Sequence, residues 1–153
     1  NNIIKFIKMV DRLPFMPVIN GARYELQPVH YKDLGTAYFN VLMNEELTVN
    51  KDFILSGGAP IFLRDILLEI GKNLNKRVRF INIPYSISYI GAWLVYLVTF
   101  KKLDYREKVQ RLCESRAFSY DEAASAFGYQ PMTFQDGIID EIKEYKMLKI
   151  RKN

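Results

Sequence analysis

His30 is the only histidine in the 153-residue chain, and Asp33 follows three residues later. A lone histidine invites a catalytic assignment, yet no serine, cysteine or second histidine lies close by in sequence to complete a nucleophilic triad. Asp33 opens the amphipathic run that extends to Met43, so it reads as a helix cap before it reads as a catalytic acid. Cys113 is the only cysteine. It has no partner for an internal disulfide, and its place in a helical run beside Leu112 points to a buried, inert thiol. Without a Cys/His cluster there is no pattern for zinc. No catalytic residue and no metal ligand is therefore assigned within these residues.

The elements that would position such groups are legible from spacing and punctuation. Asn2 can cap a helix running to about Asp11, with Ile3, Ile4, Phe6, Ile7 and Val10 as its apolar face. Leu13 to Pro17 ends that helix, because each proline forces its predecessor out of helical geometry. Asn20-Gly21 is a turn signal, and Tyr24 to Val29 reads as a short extended segment. Asp33 is expected to cap a helix that buries Leu34, Ala37, Tyr38, Val41 and Leu42. Asn44 to Asn50 reads as a polar loop.

Phe53-Ile54-Leu55 is predicted to be a buried strand ending in the tight turn Ser56-Gly57-Gly58, and to lie parallel beside the segment ahead of His30. A helix from Pro60 to Leu74 follows, with its proline in the first turn. Arg77 to Ile83 alternates polar and apolar residues, as a strand with one buried face does. Three further helices are expected, over Asp104–Arg116, Tyr120–Phe127 and Phe134–Met147.

Tyr85 to Phe100 is apolar nearly all round. As a helix it is shorter than the roughly 20 residues that span a bilayer. It reads first as a core or dimer-contact helix. Its tyrosines and tryptophan, with Lys101-Lys102 at its end, also suit a helix lying at a membrane surface or near a lipid-linked substrate.

A 49% hydrophobic, 25% charged composition is that of a globular chain rather than a disordered one. Much of the net charge of +5 sits in the tail Lys146, Lys149, Arg151 and Lys152. There it opposes the negative end of a helix dipole. Basic and aromatic residues are not otherwise clustered, so nucleic acid is not expected as a partner. The chain opens on Asn1-Asn2 without a signal-peptide pattern, and a cytoplasmic, reducing setting is the default expectation, with a peripheral membrane position as the second.

The order of these motifs resembles the C-terminal part of the extended short-chain dehydrogenase/reductases, the NAD-dependent epimerase/dehydratase family. The resemblance rests on Asn2-Ile3-Ile4, Met16-Pro17-Val18-Ile19, Asn20-Gly21, Val29-His30-Tyr31-Lys32-Asp33-Leu34-Gly35 and Leu55-Ser56-Gly57-Gly58. Near the end it rests on Ala123 to Gly128-Tyr129-Gln130-Pro131 with Phe134 and Gly137-Ile138. It implies an α/β fold in which residues 1–76 close a Rossmann-like sheet region and residues 77–153 form a mainly helical substrate-binding lobe.

The resemblance also implies a division of labour. An N-terminal half, expected before residue 1, would bind NAD or NADP and carry the catalytic tyrosine and lysine. This chain would bind the substrate, bind no cofactor alone and be inactive alone. Its partners would be that half, a sugar-nucleotide or similar small molecule, and a second copy or a membrane surface. The isolated chain would expose apolar surface that belongs against the missing sheet. Asn2 would meet a substrate diphosphate, and Pro17, Val18 and Ile19 would lie along the nucleotide base.

Two departures stand out. The family often has a phosphate-clamping arginine four residues before the histidine, where this chain has Leu26. Arg23 is the nearest cation and could replace it from a rearranged loop. A second family arginine, in an "RxGD"-like motif, is also missing. Lys108, Arg111 and Arg116 occupy that region without it. The alternative reading is a non-catalytic or lipid-associated relative that keeps the fold as an interaction module.

Overall fold

Ile7, Ile66 and Ile70 have no exposed surface, and Val10 and Leu67 have almost none. They belong to helices α1 (Asn2–Arg12) and α4 (Leu63–Asn73), which pack against each other. Removing one such side chain to alanine typically costs about 2–5 kcal/mol, so this contact is a principal anchor of its unit. Lys76, just beyond α4, closes it with an ion pair of 2.7 Å to Asp11. Its ammonium also meets the Asp11 carbonyl, where a cation favours the negative end of α1.

A computed structural model describes residues 2–100, 104–111 and 113–151 of this chain, without the Lys108 side chain. Lys101, Lys102, Leu112 and Lys152, which figure in the expectations above, lie outside the described residues. The chain packs as two interleaved units, Asn1–Glu25 with Phe62–Ser115 and Leu26–Ile61 with Arg116–Asn153. They cut across the sequence zones 1–76 and 77–153.

In the first unit, β1 (Met16–Ile19) and β4 (Phe80–Ile83) pair in parallel, with Met16 opposite Phe80 and Ile19 opposite Ile83. Parallel neighbours need a long crossover; here the chain between them includes α4. The alternation over Arg77–Ile83 yields a strand only from Phe80, and its burial is partial. Two-residue strands β2 (Glu25–Leu26) and β3 (Ile61–Phe62) make a second pair. α4 starts at Leu63, not at Pro60, since Ile61–Phe62 is drawn into that pair; the Leu63 amide donates to the Tyr24 carbonyl at 2.9 Å. The unit ends with α5 (Tyr85–Val98) and the short α6 (Arg106–Arg111). Cys113 follows in a turn and is half-buried rather than buried.

The second unit contains α2 (Tyr31–Met43), α3 (Glu45–Thr48), α7 (Asp121–Phe127) and α8 (Phe134–Ile150). Ala37, Ala123, Phe127 and Tyr129 form its core, with Phe53 edge-on to Phe127 at 5.1 Å. Of the residues expected to face inward on α2, Ala37 is fully buried, whereas Tyr38 and Leu42 are 66% and 77% exposed.

Phe53–Leu55 is not a strand, because no backbone ladder joins it to a neighbour among the described residues. Beside His30 the pairing is one amide bond, from Gly57 to the Gln27 carbonyl at 3.4 Å. Pro28 has no donor to extend it. The Gln27 side chain substitutes, donating to the Gly57 carbonyl at 2.7 Å and accepting from the Phe118 amide at 2.8 Å. Gly57 lies so close to the Pro28 carbonyl that a Cβ would collide with it. The mixed α/β class, few strands and mostly helix, is as the sequence indicated.

Tyr129 links this core to the Ser56 turn: its hydroxyl donates to the Ser56 carbonyl at 2.9 Å. Burial, followed by the negative charge of Asp33, pushes the phenol up to about 12. Folding therefore favours the protonated form. Its contribution is complete below the ordinary value near 10 and is lost as pH rises from 10 toward 12. Tyr129→Phe should cost about 1–3 kcal/mol in urea unfolding at neutral pH, and the gap from wild type should narrow above pH 10. A gap constant with pH would refute this role for the phenol.

Candidate functional site

Ile19 and Ile83 end β1 and β4 side by side. In open α/β sheets, ligands bind beyond the carboxyl ends of parallel strands, which makes this edge the natural place to look. The chain leaves β1 through three successive left-handed residues, Asn20 (φ 47°), Gly21 (φ 72°) and Ala22 (φ 55°). Glycine adopts that region freely, asparagine tolerates it and alanine resists it. Such backbone is retained only where the surroundings over-determine it.

Here the surroundings are hydrogen bonds and burial. The Gly21 amide donates to Asn82 Oδ1 at 2.7 Å, tying the turn to β4. Asn20 Oδ1 accepts the Tyr85 amide at 3.1 Å, satisfying one of the orphan donors at the start of α5. Asn20 Nδ2 donates to the Tyr24 hydroxyl at 3.0 Å. Ala22 is 1% exposed, which holds its strained backbone in place. A hydrogen bond with the Cys113 thiol, then burial, raises the Tyr24 phenol above its ordinary value.

Arg23 follows at once. It is exposed and makes no hydrogen bond or ion pair with any described residue. An unpaired guanidinium, a helix start and a turn rich in amides give this edge positive character suited to an anion. Pro17 is exposed, Val18 is buried and Ile19 is half-buried, so the alternation of β1 brings Pro17 and Arg23 to the surface of one unit. Asn2 lies in the first turn of α1, exposed, with no hydrogen bond to β1 or Arg23. Asn20, Asn82 and Tyr85 complete the turn but were not among the sequence candidates. Only the Asn20-Gly21 signal pointed to them.

The other candidates are occupied elsewhere. His30, not Asp33, caps α2: its Nδ1 accepts the Lys32 amide at 3.3 Å. Asp33 instead receives the Met132 amide at 3.2 Å from within the first turn of the helix. Arg111 is paired with Glu107 at 2.8 Å. Gly57 and Gly58 do not form a dinucleotide cradle. Backbone carbonyls of Pro28 and Met132 fill the space their missing side chains leave, the latter at 3.2 Å from a Cβ on Gly58. A cleft of about 380 Å³ in the second unit, lined by Pro60, Tyr120, Pro131, Thr133 and Phe134, contains none of the predicted residues. Among the described residues no group of acidic, cysteine and histidine side chains could hold a metal.

No family model matches the chain, and no curated protein is significantly similar to it. Solved structures are. The crystal structure of gox2253 is similar over 95% of this chain with a TM-score of 0.70 at 18% identity. The NAD complex of dTDP-glucose 4,6-dehydratase from Bacillus anthracis str. Ames is similar over 96%, with a TM-score of 0.62 at 12% identity. The chain spans 43% and 39% of those two proteins. Its fold is that of the C-terminal region of a Rossmann-like dehydratase.

The turn's two supports are separable by mutation. At Gly21 an added Cβ meets nothing nearer than Arg23 Cγ at 3.8 Å, so Gly21→Ala should cost only the left-handed backbone penalty, about 1 kcal/mol. Asn82→Ala should cost about 0.5–1.5 kcal/mol by removing an acceptor. Equal stability of both variants and wild type in denaturant would show that the turn is not held this way.

Proposed function

We propose that this chain is the substrate-binding portion of an NAD(P)-dependent epimerase, dehydratase or reductase acting on a nucleoside-diphosphate sugar, and that it is inactive by itself. The observation that carries the reading is the pair of parallel strand ends closed by the Asn20–Ala22 turn and followed by the unpaired Arg23. Arg23 and Asn2 would hold the diphosphate, and Pro17, Val18 and Ile19 would lie along the base. The likeness to a dehydratase in complex with NAD supports the class of fold in which such a site occurs. The two-stranded parallel pair supports it as well. Parallel sheets are normally wider and covered on both faces, so β1 and β4 would extend a sheet contributed by a dinucleotide-binding half. That half would bring NAD or NADP and the catalytic tyrosine and lysine.

One observation favours a second reading. Leu26 stands where the family's arginine clamp would be, and Arg111 is already paired. A relative that has lost the chemistry and acts as an interaction module would carry neither a glycine-rich turn nor a Tyr-x-x-x-Lys pair in its other half.

Kinetics of the full-length protein test the first reading. Arg23→Ala and Asn2→Ala should each raise KM for a nucleoside-diphosphate sugar about tenfold, the value of one lost charge-assisted contact of about 1.4 kcal/mol, with kcat little changed. Unchanged KM in both variants would remove these residues from the site.

A further inference from the structure

Helix α5 is inverted. Its residues with hydroxyl groups or small side chains, Tyr85, Ser88, Tyr89, Ala92, Tyr96 and Thr99, are the ones shielded from solvent along it. The inner face is specific: Tyr85 and Tyr89 stack at 5.8 Å, and the Arg106 guanidinium lies 4.4 Å from the centre of the Tyr96 ring. The opposite stripe is Ile87, Ile90, Leu94, Leu97 and Val98, each between 44% and 76% exposed. Trp93 beside it is 45% exposed. Such contiguous apolar surface marks a partner.

Three features narrow the partner. No charged residue occurs between Arg79 and Lys101, whereas Arg77, Arg79, Lys101 and Lys102 flank that interval. Cations at both ends of an apolar helix with tyrosine and tryptophan suit an anionic bilayer surface. They find no complement in a second copy of the same face. The helix has 14 residues and is about 21 Å long, too short for the roughly 30 Å hydrocarbon core. It is not long enough to cross, and among the described residues no helix is. One face of that length offers well under the ~800 Å² that each partner contributes to a standard protein interface.

We propose that the outer face of α5 docks this chain on the surface of an anionic lipid membrane, lying in the interface with its flanking cations at the headgroups. This does not rest on the sugar-nucleotide reading.

Co-sedimentation with vesicles tests it, comparing phosphatidylcholine alone with phosphatidylcholine containing about one-third phosphatidylserine. The chain should prefer the anionic vesicles, and the fluorescence of Trp93, its only tryptophan, should shift to the blue on binding. Lys101→Gln with Lys102→Gln should weaken binding about thirtyfold. Leu94→Glu, which improves solubility rather than risking collapse, should abolish it and the shift. Equal affinity for neutral vesicles would overturn the proposal. So would a self-associated chain that ignores vesicles and that Leu94→Glu converts to a monomer.

Discussion

The parallel pairing of Met16–Ile19 with Phe80–Ile83 is the constraint on which the first unit depends. Two strands far apart in sequence can run side by side only if the chain between them crosses over and returns. Ile66, Leu67 and Ile70 of the intervening helix meet Ile7 and Val10 of α1 to make that return favourable. Once the register is set, Asn82 stands where it can accept the Gly21 amide, and Asn20 where it can accept that of Tyr85. The left-handed turn and the start of α5 thus follow from the pairing. Arg23 is left at the strand ends with its charge uncompensated by any described residue.

The second unit solves a different problem, that of joining helices through segments too broken by proline and glycine to form ladders. Side chains take over where backbone pairing stops. Gln27 bridges Gly57 and Phe118, Ser56 Oγ donates to the Phe118 carbonyl at 2.8 Å, and Tyr129 reaches the Ser56 carbonyl from the core. Asp33 draws in the Met132 amide, and Lys32 meets Asp140 at 2.7 Å. His30 and Asp33 therefore serve to hold α2, and the residues that looked most chemical in the sequence have structural work.

What the sequence made legible was local. The 3.6-residue spacing of Ile66 and Ile70 marked the buried face of α4, and Asn20-Gly21 marked the turn. The alternation ahead of Pro84 marked β4. Less visible were features decided by tertiary partners. Phe53–Leu55 has strand-like composition, but a strand is defined by its neighbour, and Pro28 denies it one. Tyr38 and Leu42 fit an apolar face that α2 does not bury. The apolar run Tyr85–Phe100 concealed which side of α5 faces the protein, because tyrosine and serine can pack inward when their partners are aromatic or cationic. The substrate candidates Pro17, Val18, Ile19 and Arg23 came from resemblance; the turn that joins them came from geometry.

The account places ligand recognition at the carboxyl ends of β1 and β4 rather than at the larger cleft of the second unit. Titration of the isotopically labelled chain with a nucleoside diphosphate, followed by backbone and arginine side-chain NMR, addresses that most directly. Saturable shifts should concentrate at Gly21, Ala22, Arg23 and the Arg23 guanidinium, and vanish in Arg23→Ala. Shifts gathered instead around Pro60, Tyr120 and Phe134, or none at all at millimolar ligand, would contradict it.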